Sequence, residues 1–83
     1  MVLTEHESKL LLTLLSSSKP QMITQLVKRG LMSPSTLYRA VEGLLDRGLI
    51  AEDRDRGVRV IRLTEKGGRI AKLLEEIERI IHE

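Results

Sequence analysis

Apolar positions recur at helical spacing in four stretches of the chain and cluster as short β-branched runs in between. Thr4-Glu5-His6-Glu7 has the form of a capping box, in which the Thr4 hydroxyl accepts from the Glu7 N–H and the Glu7 carboxylate accepts from the Thr4 N–H. A helix is expected from there to about Leu15, ended by Ser16-Ser17-Ser18-Lys19-Pro20. At ~100° per residue Leu10, Leu11, Leu12, Leu14 and Leu15 span an arc of roughly 200°, wider than the ~100° stripe of a helix with one buried face. Such a helix is either central or buries one side on its own domain and another on a partner.

A short second helix begins at Pro20 or at Thr24, the latter preferred as N-cap after an extended Met22-Ile23. It stops at Gly30, with Leu26 and Val27 inward. Ser33-Pro34 is an N-cap followed by proline at the first helical position, and opens a third helix that runs to about Arg47 and closes at Gly48. Leu37, Val41, Leu44 and Leu45 share its apolar side. Ser35, Arg39, Glu42, Gly43 and Asp46 lie opposite, with Thr36 and Tyr38 on the flanks.

Leu49-Ile50-Ala51 and Val58 to Leu63 read as strands, the second rich in β-branched residues. The charged stretch Glu52-Asp53-Arg54-Asp55-Arg56-Gly57 between them is expected to be a mobile turn. Thr64 caps a final helix from Glu65 to about His82, along which Ile70, Leu73, Leu74, Ile77, Ile80 and Ile81 recur at spacings of three and four. The order helix, helix, helix, strand, strand, helix is that of a helix-turn-helix with a wing. It is a mainly α fold with a small β-hairpin (α+β), and residues 1–83 form one domain.

Composition narrows the function. Of 83 residues 41% are hydrophobic and 31% charged, a globular balance rather than a disordered one. Cys is absent, which excludes a disulfide scaffold, a thiol enzyme and Cys-ligated metal sites. No apolar run approaches the ~20 residues of a spanning helix, and the acidic start is unlike a signal peptide, so a cytoplasmic protein with no membrane partner is expected. Fourteen basic against 12 acidic side chains leave a net charge of +2, compatible with a nucleic-acid face without establishing one. Gly-rich phosphate loops, paired carboxylates in an apolar setting and aromatic stacking platforms are missing from the sequence. A non-enzyme with no cofactor and no metal is expected. His6 and His82 read first as solvated residues near the ends.

The stretch Ser33-Pro34-Ser35-Thr36-Leu37-Tyr38-Arg39-Ala40-Val41-Glu42-Gly43-Leu44-Leu45-Asp46-Arg47-Gly48-Leu49-Ile50 resembles the recognition helix and following strand of winged-helix transcription regulators of the MarR and PadR families. Leu63-Thr64-Glu65-Lys66-Gly67 is similar to the LTxKG signature at which those families leave the wing. The resemblance covers about residues 20–70, and a chain of this length resembles the minimal members found in archaea and their viruses. It implies a homodimer that binds double-stranded DNA. The recognition helix would lie in the major groove, the wing on the backbone or minor groove, and residues 65–83 would form the dimerisation helix.

The residues themselves agree with that assignment. Arg39 is the best base reader, because a guanidinium pairs in bidentate fashion with guanine. Ser33, Ser35, Thr36 and Tyr38 suit base edges or phosphates at the helix start. Arg54, Arg56 and Arg59 on the wing suit phosphates or a narrow minor groove. For the dimer interface the stripe offers Ile70, Leu74, Ile77 and Ile81, with Leu11 and Leu15 from the first helix, since an exposed stripe of that size is unusual in a monomer. Gly43 costs ~1 kcal/mol relative to Ala inside a helix, and a close approach to another backbone is the account the sequence offers. Two other readings stand beside the regulator: a winged-helix adaptor between proteins, and an architectural nucleic-acid-binding protein of low specificity.

Overall fold

Three of the four caps foreseen in the sequence, Thr4, Ser33 and Thr64, are made. In the computed structural model, which describes residues 2–17 and 19–83, Thr4 Oγ1 accepts from the Glu7 N–H at 3.0 Å. The Thr4 N–H donates to Glu7 Oε1 at 2.9 Å, completing the box that opens α1 (Glu5–Leu15). Ser33 caps α3 (Pro34–Asp46) by accepting from the Thr36 N–H, and Thr64 caps α4 (Glu65–Ile81) by accepting from the Gly67 N–H at 3.0 Å. Met1 of the acidic start and Ser18 of the stop after α1 lie outside the described residues.

Two boundaries differ from expectation. Gln21–Met22 form a short strand, β1, and α2 (Ile23–Lys28) follows at once, with Met22 as an N-cap that makes no side-chain bond. Thr24 therefore sits inside the helix rather than capping it. The cause is non-local: β1 pairs antiparallel with β3 (Val58–Leu63), Gln21 opposite Ile61 and Met22 opposite Val60, which holds the chain extended up to Met22.

The second difference is the wing. β2 (Ile50–Asp55) runs through the charged stretch and pairs with β3 from Ile50 opposite Leu63 to Asp55 opposite Val58. Only Arg56 and Gly57 turn, with φ of +52° and +80°, the left-handed pair of a type I′ hairpin. The strand order is β1-β3-β2, so β2 is an edge. From Glu52 to Asp55 its side chains are exposed on both faces, so the ladder holds this segment and hydrophobic alternation does not mark it.

The core gathers Leu10, Leu11 and Leu14 of α1, Ile23 and Leu26 of α2, Leu37, Ala40, Val41 and Leu44 of α3, Leu49 and Ile50, Ile61, and Ala71 and Leu74 of α4. The first helix is thus the central one. Leu11 is fully buried within its own domain and Leu74 is 7% exposed. Leu11 is thus committed to its own domain and not to the expected interface, whereas Leu74 packs in the core and also borders the open face of α4.

α4 meets the domain through its small residues. A Cβ on Gly67 would collide with the Leu49 carbonyl oxygen. The Thr64 hydroxyl donates to the Gly48 carbonyl at 2.7 Å, and the Thr64 N–H donates to the Leu49 carbonyl at 3.1 Å. The Leu63 to Gly67 segment therefore stitches the exit of the wing to the end of α3. Ala71 and Leu74 continue that inward face, and every residue beyond Leu74 is exposed.

Candidate nucleic-acid interface

The polar side of α3 starts at its cap. Ser33 Oγ donates to Thr36 Oγ1 at 2.7 Å, so these two hydroxyls are engaged with each other. Ser33, Ser35, Tyr38 and Arg39 are exposed and Thr36 is half-buried. The first turn carries no acidic residue, and among the described residues Arg39 makes no salt bridge. Ser35, Tyr38 and Arg39 are brought together on one exposed stretch, with free N–H groups at the helix start beside them. Beside Arg39 runs a groove of about 220 Å³, lined by Thr36, Arg39 and Ala40 of α3 and by Thr4, His6 and Glu7 at the start of α1.

The wing arginines divide into two groups. Arg54 and Arg56 are exposed at the tip, and Arg54 Nη1 donates to the Gly57 carbonyl at 3.0 Å. Arg59 is turned back onto the protein. Its Nε donates to Glu52 Oε1 at 2.7 Å, its Nη2 bonds the same carboxylate, and Glu42 of α3 lies 3.8 Å away. The hydrogen bond to Glu52 leads the influences that lift its pKa above the ordinary arginine value. Arg62 is likewise paired with Asp53 at 2.8 Å. Arg59, opposite Arg54 in the hairpin, is thus engaged with carboxylates of β2 and α3 and is not free for DNA as expected of a wing arginine.

No family model and no curated protein matches the sequence. Solved structures do. A MarR family transcriptional regulator from Silicibacter pomeroyi is 35% identical with a TM-score of 0.75, over 90% of this chain and 54% of that one. The transcriptional regulator BldR from Sulfolobus solfataricus superposes with a TM-score of 0.82 at 24% identity, over 98% of this chain and 59% of that one. A protein of Archaeoglobus fulgidus matches with a TM-score of 0.85 at 18% identity, over 99% of this chain and 93% of that one. The fold is a MarR-like winged helix. The chain spans 54% and 59% of the length of the first two of these three proteins.

In this fold α3 is the helix expected from the sequence to be the recognition helix, and β2–β3 the hairpin expected to be the wing. Four of the six large aliphatics of α4 are not where the domain can use them. Leu73 is 64% exposed, Ile77 47%, Ile80 55% and Ile81 66%. Of the remaining candidate interface residues, Ile70 and Leu15 are half-buried. A groove of about 540 Å³ runs beside α4, lined by Val2, Leu3, Leu49, Ile70, Leu73 and Ile77 among others, with Arg47 and Lys66 as its cations. No helix among the described residues is long and apolar enough to cross a membrane.

Glu7 is the functional-region residue whose second role the sequence concealed. It is the buried charged residue of the domain, 4% exposed, and its Oε2 accepts from Arg47 Nη1 at 2.6 Å. A Cβ on Gly43 would occupy the space of that same oxygen. Gly43 is therefore explained by a close approach, but to a carboxylate and not to a backbone. Its helix-interior position was the available signal.

Proposed function

We propose that the protein is a homodimeric regulator of transcription that binds double-stranded DNA in the cytoplasm with sequence preference, most simply by occluding a promoter. The observation that carries this reading is the exposed face of α3: Ser35, Tyr38 and an unpaired Arg39 beside a capped helix start, on a MarR-like winged helix. A helix entering the major groove reads bases with such groups. Arg39 takes a base edge, Ser33, Ser35, Thr36 and Tyr38 fix the helix on phosphates or neighbouring bases, and Arg54 and Arg56 reach the backbone or minor groove.

The partner is a second copy. Leu73, Ile77, Ile80 and Ile81 form an exposed apolar strip on the half of α4 that the domain leaves uncovered. Burying it across a two-fold axis removes that surface from water and spaces two recognition helices for successive major grooves, ~34 Å apart. Arg59 and Arg62, both spent on carboxylates, are the observation on the side of the protein adaptor.

Enrichment of duplexes from a random pool, followed by salt titration of the winner, tests the proposal. A palindromic site whose affinity falls steeply with salt supports it. Absence of duplex binding at low salt rejects it in favour of the adaptor, and binding without enrichment rejects sequence preference in favour of the architectural role.

A further inference from the structure

We infer that Arg47 is a specificity-determining positioning residue: by holding the Glu7 carboxylate it leaves Arg39 free to read a base. The inference rests on the reading of α3 as the DNA-facing helix. Thr36, Ala40, Gly43 and Arg47 follow one another at spacings of three and four, so they form one flank of α3. That flank faces the first turn of α1. Glu7 and Arg39 line the same groove, together with Thr36 and Ala40 of α3. A carboxylate so placed is the natural partner of a guanidinium. The pairing that exists is a different one. Oε1 of Glu7 is taken by the Thr4 N–H at 2.9 Å and Oε2 by Arg47 Nη1 at 2.6 Å. Gly43 supplies the space for Oε2, since any Cβ there would evict it.

The consequence is a competition between two arginines of one helix for one carboxylate. Arg47, at the far end of α3, wins it. Arg39, two turns closer to the cap, is left without an acidic partner. Without Arg47, Glu7 swings along the groove and pairs with Arg39, so a base edge must displace that pair. Sequence preference then falls while the phosphate contacts of the wing remain.

Four variants test this on the intact chain: Arg47→Ala, Glu7→Gln, Arg47→Ala with Glu7→Gln, and Gly43→Ala. Each is measured against the enriched duplex and a scrambled one, well below its own melting temperature. Arg47→Ala should weaken binding to the enriched duplex about tenfold, within the range one base-edge contact supplies, and change binding to the scrambled duplex about twofold or less. Adding Glu7→Gln should restore most of the loss, because the competing charge is gone. Gly43→Ala should reproduce the Arg47→Ala effect without altering a charge. A double variant no better than Arg47→Ala, or equal losses on both duplexes, overturns the inference and leaves the pair a purely structural one.

A readout without DNA separates this outcome from a failure of the regulator reading. In Arg47→Ala the Arg39 Nε–H resonance should shift and its exchange with water should slow, and Glu7→Gln should reverse both. An Arg39 signal indifferent to Arg47→Ala overturns the inference whether or not any duplex binds.

Discussion

α3 and α4 are both amphipathic, and the domain uses them in opposite senses. α3 turns its large aliphatics, Leu37, Val41 and Leu44, wholly inward and leaves its polar face to solvent. α4 turns its small residues inward, Gly67 and Ala71 with Leu74, and holds Leu73, Ile77, Ile80 and Ile81 out. The difference teaches that an apolar stripe on a helix says that something must cover it, not what does. For α3 the cover is α1, the sheet and the wing exit. For α4 the domain offers close backbone approach at its first two turns and nothing along its second half. A helix that spends glycine to dock tightly, then displays isoleucine, is built to join two bodies.

Breaking the inward face has the largest expected effect. Leu44→Ala should lower unfolding stability by about 2–5 kcal/mol, the range for a fully buried leucine, read by urea titration. A loss under 1 kcal/mol would contradict its place in the core. Ile77→Glu attacks the outward face. Charge on the exposed strip should yield a folded, less stable monomer by sedimentation while α1 to α3 keep their structure. A dimer surviving Ile77→Glu would remove α4 from the interface.

The parts of this fold legible in the sequence are those fixed within a few residues. Thr4, Ser33-Pro34 and Thr64 mark helix starts through bonds to N–H groups three residues on, so they were visible. Gly30 and Gly48 mark stops for the same local reason. β1 was not visible as a strand, because Gln21 and Met22 are extended only by pairing with Val60 and Ile61, some forty residues away. The outer part of β2 was hidden by its charges, which an edge strand wet on both faces tolerates. In the candidate interface, Arg39, Ser35 and the tip arginines could be named from residue type and helix phase. The engagement of Arg59 with Glu52 and Glu42, and of Glu7 with Arg47, depends on which elements come to lie side by side, and only Gly43 hinted at it.

The DNA-facing side of the same comparison sharpens with smaller effects. Arg39→Ala should cost about 1–3 kcal/mol on the preferred duplex and relax the preference at one position. Arg54→Ala and Arg56→Ala should weaken all duplexes alike and reduce the salt slope by about one each. Arg59→Ala, by contrast, should leave the salt slope unchanged, because that guanidinium already has protein partners. A slope reduced as much by Arg59→Ala as by Arg56→Ala would return Arg59 to the DNA-contacting set.

The smallest effect concerns the point where α3 is anchored by a charge and not by leucine. Burial of Glu7 on its own would raise its pKa. The Thr4 N–H and Arg47 outweigh that cost and hold it below the ordinary carboxylate value. The unfolded chain therefore takes up this proton before the folded one does. The stabilisation is complete at neutral pH, begins to fade near the ordinary glutamate value of about 4.3, and is lost as pH falls through the lower folded-state value. Glu7→Gln should thus be less stable than wild type at pH 7, and the gap should close on acidification. The exposed pairs Arg62–Asp53 and Arg79–Glu76 are common to both proteins and cancel in the difference. Thermal melts of the two proteins between pH 7 and pH 3 decide the matter. Curves that stay parallel throughout would mean that Glu7 gains nothing from its charge, and that α3 is held at this end by packing alone.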